Sequence, residues 1–282
     1  MATGARRELD LDGHRLVYDE YGSGRRTVVL VHGLLLSRRM HGPLASSLAD
    51  HGNRVLCPDL LGHGDSDRPR DMWRYSMPAF GEQVIALLDH AGTDEAVVGG
   101  TSLGANVTLE AAVRDPARMR GLVIEMPVLD NALLACALAF TPLLAGLTFG
   151  APVARQLARL ARIPPRGWNL LADIALDAVA QDPGPSAAVL QGIFFNRSAP
   201  PRAERRAIET RSLVIGHGRD PVHPFSDSDM LVRELPHGRL LEASSILELR
   251  LAPERLTGEI ADFVDECWRP AAAKDAARRA SA

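Results

Sequence analysis

The sequence predicts an α/β fold: a mostly parallel central sheet flanked by helices, with a helical insertion in its second half. Three observations carry that expectation. Short apolar runs alternate with stretches of helical periodicity along most of the chain, the pattern of a parallel sheet covered by helices. At its centre the run Ala96-Val97-Val98 breaks at Gly99-Gly100-Thr101-Ser102-Leu103-Gly104 and restarts with helical spacing at Val107, Leu109, Ala111 and Ala112. From about residue 127 to 208 the alternation stops, and helical stretches separated by Pro and Gly replace it.

Taken in order, residues 7–21 alternate apolar and polar around Asp12-Gly13, which predicts an edge hairpin. Residues 27–31, TVVLV, are continuously apolar and read as a central strand buried on both faces. A helix is expected from about 41 to 51 and a strand over 54–57, ending in the Gly/Asp/Pro-rich loop PDLLGHGDSDRP. Residues 77–91 place Phe80, Val84, Leu87 and Leu88 on one helical face. After the Ser102 turn and its helix, residues 122–124 form another short strand. The alternation resumes at Ser212-Leu213-Val214-Ile215 and continues through a helix, a strand over 239–243 and an amphipathic helix over about 253–268. The expected organisation is a core of residues 1–126 and 209–268, a helical cap of 127–208 and a flexible tail of 269–282.

Composition narrows the function. At 282 residues and 46% hydrophobic the chain buries a sizeable core, and a net charge of −3 with no basic stripe argues against nucleic acid. Cys57, Cys136 and Cys267 are odd in number and far apart, which favours reduced thiols and a cytoplasmic location. The opening residues, MATGARRELDLDG, lack the apolar core of a signal peptide. Residues 131–154 carry no charge and are long enough for a membrane span, but Pro142, Gly146, Gly150 and Pro152 interrupt them. A buried or lid helix is the expectation there, with no transmembrane span; contact with a membrane interface, or with a second copy in a homodimer, stays open.

Gly100 and Gly104 flank Ser102 in the pattern G-x-S-x-G, between a strand and a helix. That context defines a nucleophile elbow, a turn too tight for a Cβ at either glycine, with the Ser hydroxyl held clear of the sheet. The backbone N–H of Leu103, opening the helix, is aimed where an oxyanion would develop.

Four stretches, VVLVHGLL at 28–35, PDLLGHGDS at 58–66, GGTSLGA at 99–105 and IGHGRD at 215–220, together resemble the α/β-hydrolase superfamily, from about Leu9 to Trp268. The resemblance implies the α/β-hydrolase fold, a cap at the 127–208 insertion, Ser102 as nucleophile, an oxyanion hole from the N–H groups of Leu34 and Leu103, and Asp220 as the triad acid. It calls for no cofactor and no metal.

The sequence departs from the family's pattern after its last strand. Aligned on the helix start APERL, Ile246 stands where the catalytic His is expected, and no His follows His237. An imidazole base is needed to activate a Ser hydroxyl. His223, three residues after Asp220 and on the loop after the penultimate strand, is the candidate base. His217, His32 and His63 read as structural, and His237 as lying at the opposite end of its strand. Asp220, His223, Asp227 and Asp229 match no metal-ligand spacing and read as a solvated loop with helix N-terminal acids. Glu125 and Asp130 are the alternative acids.

Leu133, Leu134, Leu138, Phe140, Leu143 and Leu144 suggest an apolar cavity, with Trp73, Tyr75, Phe194 and Phe195 as further lining. The expected function is an intracellular serine hydrolase acting on an apolar small-molecule ester, lactone or related acyl compound. The alternative is a catalytically impaired or non-hydrolytic relative that binds an apolar metabolite.

Overall fold

The structure, a computed structural model, describes residues 4–269. The chain opens with strands β1 (Ala5–Leu11) and β2 (His14–Tyr21), joined by a two-residue turn. Asp12 and Gly13 both adopt positive φ, 53° and 77°, the Asp-Gly signature of a type I′ hairpin. Of this hairpin only β1 lies at a sheet edge: β2 continues antiparallel onto β4. Strand β3 (Arg26–Val31) leads to a short 3-10 turn at Arg38–His41 and helix α1 (Gly42–Asp50), whose Pro43 suits its first turn. Then follow β4 (Asn53–Pro58), α2 (Met77–His90), β5 (Ala96–Thr101), α3 (Leu103–Arg114) and β6 (Met119–Glu125). Ser76 caps α2 by accepting the Ala79 N–H.

Residues between β6 and the next strand contain five helices and no strand. These are α4 (Leu133–Phe149), α5 (Ala151–Ala161), α6 (Leu170–Val179), α7 (Pro183–Phe194) and α8 (Arg202–Arg206). Asn169 and Asp182 cap α6 and α7 through the N–H groups of Ala172 and Gly184. Helices α4 and α5 meet at Gly150 with a bend of 97°. The alternation then resumes with β7 (Ser212–His217), α9 (Phe225–Glu234), β8 (Gly238–Ala243), a short α10 (Glu248–Leu251) and α11 (Glu254–Trp268). The flexible tail expected over 269–282 lies, apart from Arg269, outside the described residues.

The eight strands form one sheet in the order β1-β2-β4-β3-β5-β6-β7-β8, parallel from β4 to β8. Alternation of side chains across the pleat divides the core in two. Val29, Val31, Val98, Leu122 and Ile124 pack beneath α2 and α3, with Phe80, Val84 and Leu109. Val28, Leu30, Val97, Val123 and Ile215 pack beneath α1 and α11, with Leu48, Ile260 and Phe263. Strands buried on both faces are the reason these segments read as continuous apolar runs. The parallel order places the loops after β3, β5, β6, β7 and β8 at one edge of the sheet, and the candidate site is built there.

The segment around Asp227 differs from the expected solvated loop. Asp227 is fully buried and accepts the N–H groups of Leu129 (2.8 Å), Asn131 (3.0 Å) and Ala132 (3.1 Å), tying the start of the inserted segment to α9. A carboxylate is favoured in a dry site only where donors converge on it, which is the case here.

Candidate active site

Ser102 sits between the end of β5 and the start of α3 with φ 56° and ψ −111°, a left-handed conformation costly for a side-chain-bearing residue. The surroundings hold it there. Its N–H donates to Glu125 O on the neighbouring strand (2.9 Å), and its carbonyl accepts the Asn106 N–H (3.2 Å). A Cβ on Gly100 would run into the backbone of Gly104, and one on Gly104 into the Val31 carbonyl. The two glycines are therefore what lets α3 start directly against β3 and β5.

The Ser102 hydroxyl meets an imidazole. Ser102 Oγ lies 2.8 Å from His223 Nε2, and His223 Nδ1 lies 2.8 Å from Asp220 Oδ2. Asp220 also accepts the backbone N–H groups of Val222 (2.8 Å) and His223 (2.9 Å) through Oδ1. Burial alone would raise the Asp220 carboxyl, but the ring and backbone donors of His223 and the Val222 N–H outweigh it and hold it down at about 2. An ionised Asp220 fixes the proton on Nδ1 and leaves Nε2 to accept from Ser102. Asp220 and His223 thus come from one loop, between β7 and α9.

The position after β8 contributes something else. Ile246 is 40% exposed and lies with Arg219, Glu242 and Arg255 around an open polar hollow, among whose lining residues Ser102 is absent. Four residues later, Arg250 turns inward. Its Nη2 donates to Glu125 Oε2 (2.9 Å) and Thr101 Oγ1 (3.0 Å), and Thr101 Oγ1 itself donates to Glu125 Oε2. Burial pushes the Glu125 carboxyl up, but Arg250 and Thr101 draw it below its ordinary range. Thr101 immediately precedes Ser102, so this cluster supports the floor of the elbow. Nothing in the local sequence marks the pairing, because Arg250 and Glu125 meet only once β6 and the segment after β8 are both in place. Glu125, considered from the sequence as an alternative acid, is occupied by it. Asp130, the other one, is exposed and pairs with Arg205 at 3.6 Å.

The other histidines weighed from the sequence lie elsewhere, and neither ring nitrogen of His217 is hydrogen-bonded. His32 is buried between Gly33 O (2.8 Å) and the Leu60 N–H (3.0 Å), and His63 is buried with Nδ1 3.1 Å from Leu61 O. His217 is buried at 3.9 Å from Glu125, its basicity lowered by burial. His237 sits just before β8, at the far end of the sheet, beside Glu209 (3.4 Å).

A cavity of about 350 Å³ opens at Ser102, walled mainly by Leu34, Leu103, Leu133, Phe140, Leu190 and Ile193. Leu34 and Leu103, singled out for their N–H groups, both border it. Leu103 is the first residue of α3, where backbone N–H groups have no intrahelical acceptor. Phe194 lines the cavity as expected, and Leu143 lines a neighbouring one. Leu134, Leu138, Trp73 and Phe195 instead face outward, and Tyr75 is wholly buried in the core. Helical spacing alone could not separate the two faces of α4, since both are apolar. The Asn106 side chain, missed from the sequence, accepts the Val128 N–H (3.1 Å) and donates to Val128 O (2.7 Å) and Ser198 O (2.6 Å), linking α3 to the cavity rim.

A family model for the alpha/beta hydrolase fold matches residues 26–240, and the chain belongs to that family. Among its relatives is 2-hydroxymuconate semialdehyde hydrolase of Pseudomonas putida, 29% identical over 260 residues that cover 83% of this chain and 84% of that protein. Another is epoxide hydrolase A of Mycobacterium tuberculosis, 34% identical over 137 residues, 47% of this chain and 42% of that one. Among solved structures, the enol-lactonase from Burkholderia xenovorans LB400 superposes with a TM-score of 0.71 at 21% identity, over 92% of this chain and all of that one (100%). This last likeness establishes the fold; the family match and the named relatives make the protein a hydrolase-type enzyme.

Proposed function

We propose that this enzyme is a serine hydrolase acting on an apolar small-molecule ester, lactone or related acyl compound, with Ser102 as nucleophile, His223 as base and Asp220 as the acid that orients it. The observation that carries the proposal is the unbroken chain of two 2.8 Å hydrogen bonds from Ser102 Oγ through His223 to Asp220. Ser102 Oγ attacks the acyl carbon while its proton passes to His223 Nε2. Asp220 stabilises the imidazolium through Nδ1–H without itself taking the proton. The N–H groups of Leu34 and Leu103 receive the developing oxyanion. His223 then protonates the leaving group, and the acyl-enzyme is released by water that His223 deprotonates in turn.

The helical segment between β6 and β7 acts as the cap, and its apolar wall at Ser102 supports an apolar acyl group. Free cysteines at Cys57, Cys136 and Cys267 support an intracellular, reducing setting. The alternative of a non-hydrolytic binding protein rested on Ile246, and the 2.8 Å approach of His223 to Ser102 weighs against it.

A fluorophosphonate probe tests the proposal. Ser102 should be labelled in the native protein and unlabelled in Ser102→Ala. His223→Ala should lower turnover of a p-nitrophenyl ester by a factor on the order of 10⁴ to 10⁶. Absence of labelling in the native protein, or ester turnover that survives Ser102→Ala, would overturn it.

A further inference from the structure

The cap carries an apolar surface that its own packing does not use. None of the 17 residues of α4 is buried, although the helix is apolar apart from Thr141 and Thr148. Leu134 is 72% exposed and Phe149 87%. On α5, Val153, Leu157 and Leu160 recur at helical spacing on an exposed face, and Ile163 and Trp168 follow in the loop beyond, both exposed. Exposed apolar surface gathered on one element to this degree marks a contact surface.

The charges carried by the segment itself all have one sign. Between Asp130 and Asp173 the only charged side chains are Arg155, Arg159, Arg162 and Arg166. Arg166 is engaged by Asp177 at 2.9 Å. Arg155 and Arg159 lie on the opposite face of α5 and Arg162 at its C-cap, all three exposed and without a carboxylate partner among the described residues, Arg162 donating to Ala180 O (2.8 Å). An apolar row backed by an arginine row is the pattern of a helix lying in a lipid interface.

From this geometry we infer that α4, α5 and the loop to Trp168 dock onto the surface of an anionic lipid bilayer. The apolar faces enter the headgroup boundary, the arginines meet lipid phosphates, and Trp168 sits at the interface. The helices lie on the membrane and do not cross it: α4 is about 26 Å long, short of a bilayer's hydrocarbon core, and the 97° bend at Gly150 turns α5 aside. Charge favours lipid over a second copy of the chain, since a symmetric contact would set this all-positive segment against itself. The docked face also borders a cavity of about 660 Å³ between α4 and α5 that shares Leu34 and Phe140 with the cavity at Ser102. The inference concerns binding alone and holds whether or not Ser102 turns over a substrate.

Co-sedimentation of the full chain with two kinds of vesicle tests it: phosphatidylcholine alone, and phosphatidylcholine with phosphatidylglycerol in equal parts. Binding to the mixed vesicles should be at least about tenfold tighter, should weaken with salt, and should shift Trp168 emission to the blue, a shift that Trp168→Phe removes. Arg155→Glu with Arg159→Glu should erase the preference for anionic lipid. Phe149→Asp with Leu160→Asp should abolish binding; both positions are exposed, so an unchanged melting temperature verifies the fold of each variant. Failure to bind either vesicle, or equal binding to both, overturns the inference. So does a dimer at working concentrations that Phe149→Asp dissociates, which would assign the face to a second copy.

Discussion

Asp220, three residues before His223, fixes both the backbone and the ring of that residue. The carboxylate takes two backbone N–H groups on one oxygen and the imidazole on the other, so both side chains are positioned by a single turn. Removing His223 should disable the site, whereas Ile246→Ala should leave ester turnover within about threefold, since a substitution of an exposed side chain away from the reacting atoms has small effects. The carboxyl of Asp220 is held at about 2, below its value in an unfolded chain. Its contribution to stability is therefore complete above about pH 4 and is lost as pH falls toward 2. Asp220→Asn should reduce stability by about 2 kcal/mol at neutral pH. Urea unfolding at a series of pH values should show that gap closing on the acid side and not on the alkaline side.

At the scale of elements, β5, β6 and the segment after β8 meet in the Thr101–Glu125–Arg250 cluster. A buried carboxylate deprived of its partner is strongly destabilising, so Arg250→Met should lower unfolding free energy by about 3–5 kcal/mol. The double variant with Glu125→Gln should recover part of that loss in the same denaturant titration, because the uncompensated charge is gone. If the single variant unfolds like the native protein, the cluster is ornamental to the fold. This cluster also shows where sequence reading stops. The Ser102 elbow was legible because its two glycines encode a local turn, and Asp220 because it closes a motif on the loop after a strand. Glu125 and Arg250 are 125 positions apart; Glu125 reads from the sequence as an alternative acid and nothing marks Arg250 as its partner. Asp227 was legible as an acid at the start of a helix but not as buried, since the three N–H groups it accepts belong to a distant loop.

At the scale of the whole molecule, the β–α rhythm and the interruption after β6 were plain in the sequence, because strands buried on both faces leave continuous apolar runs. The route to the base was less direct. The strand order places the loops after β5, β7 and β8 at the same edge of the sheet, so a base supplied from either of two loops satisfies the topology equally. The loop after β8 holds no His, since none follows His237, so the sequence leaves His223 on the loop after β7 as the candidate, and the structure brings its Nε2 within 2.8 Å of Ser102 Oγ.

Concentrating Asp220 and His223 within one turn changes which insertions the proposed site tolerates. When the two groups arise from separate loops, each loop must keep its length for the site to close. Here the loop between β8 and α10 is released from that requirement, while the stretch 220–223 is locked. A residue inserted between Ser245 and Ile246 should leave labelling of Ser102 intact, provided Arg250 keeps its seat; one inserted between Pro221 and Val222 should abolish it. The loop after β8 is thereby open to lengthening and to new contacts, a freedom that the turn after β7 has given up.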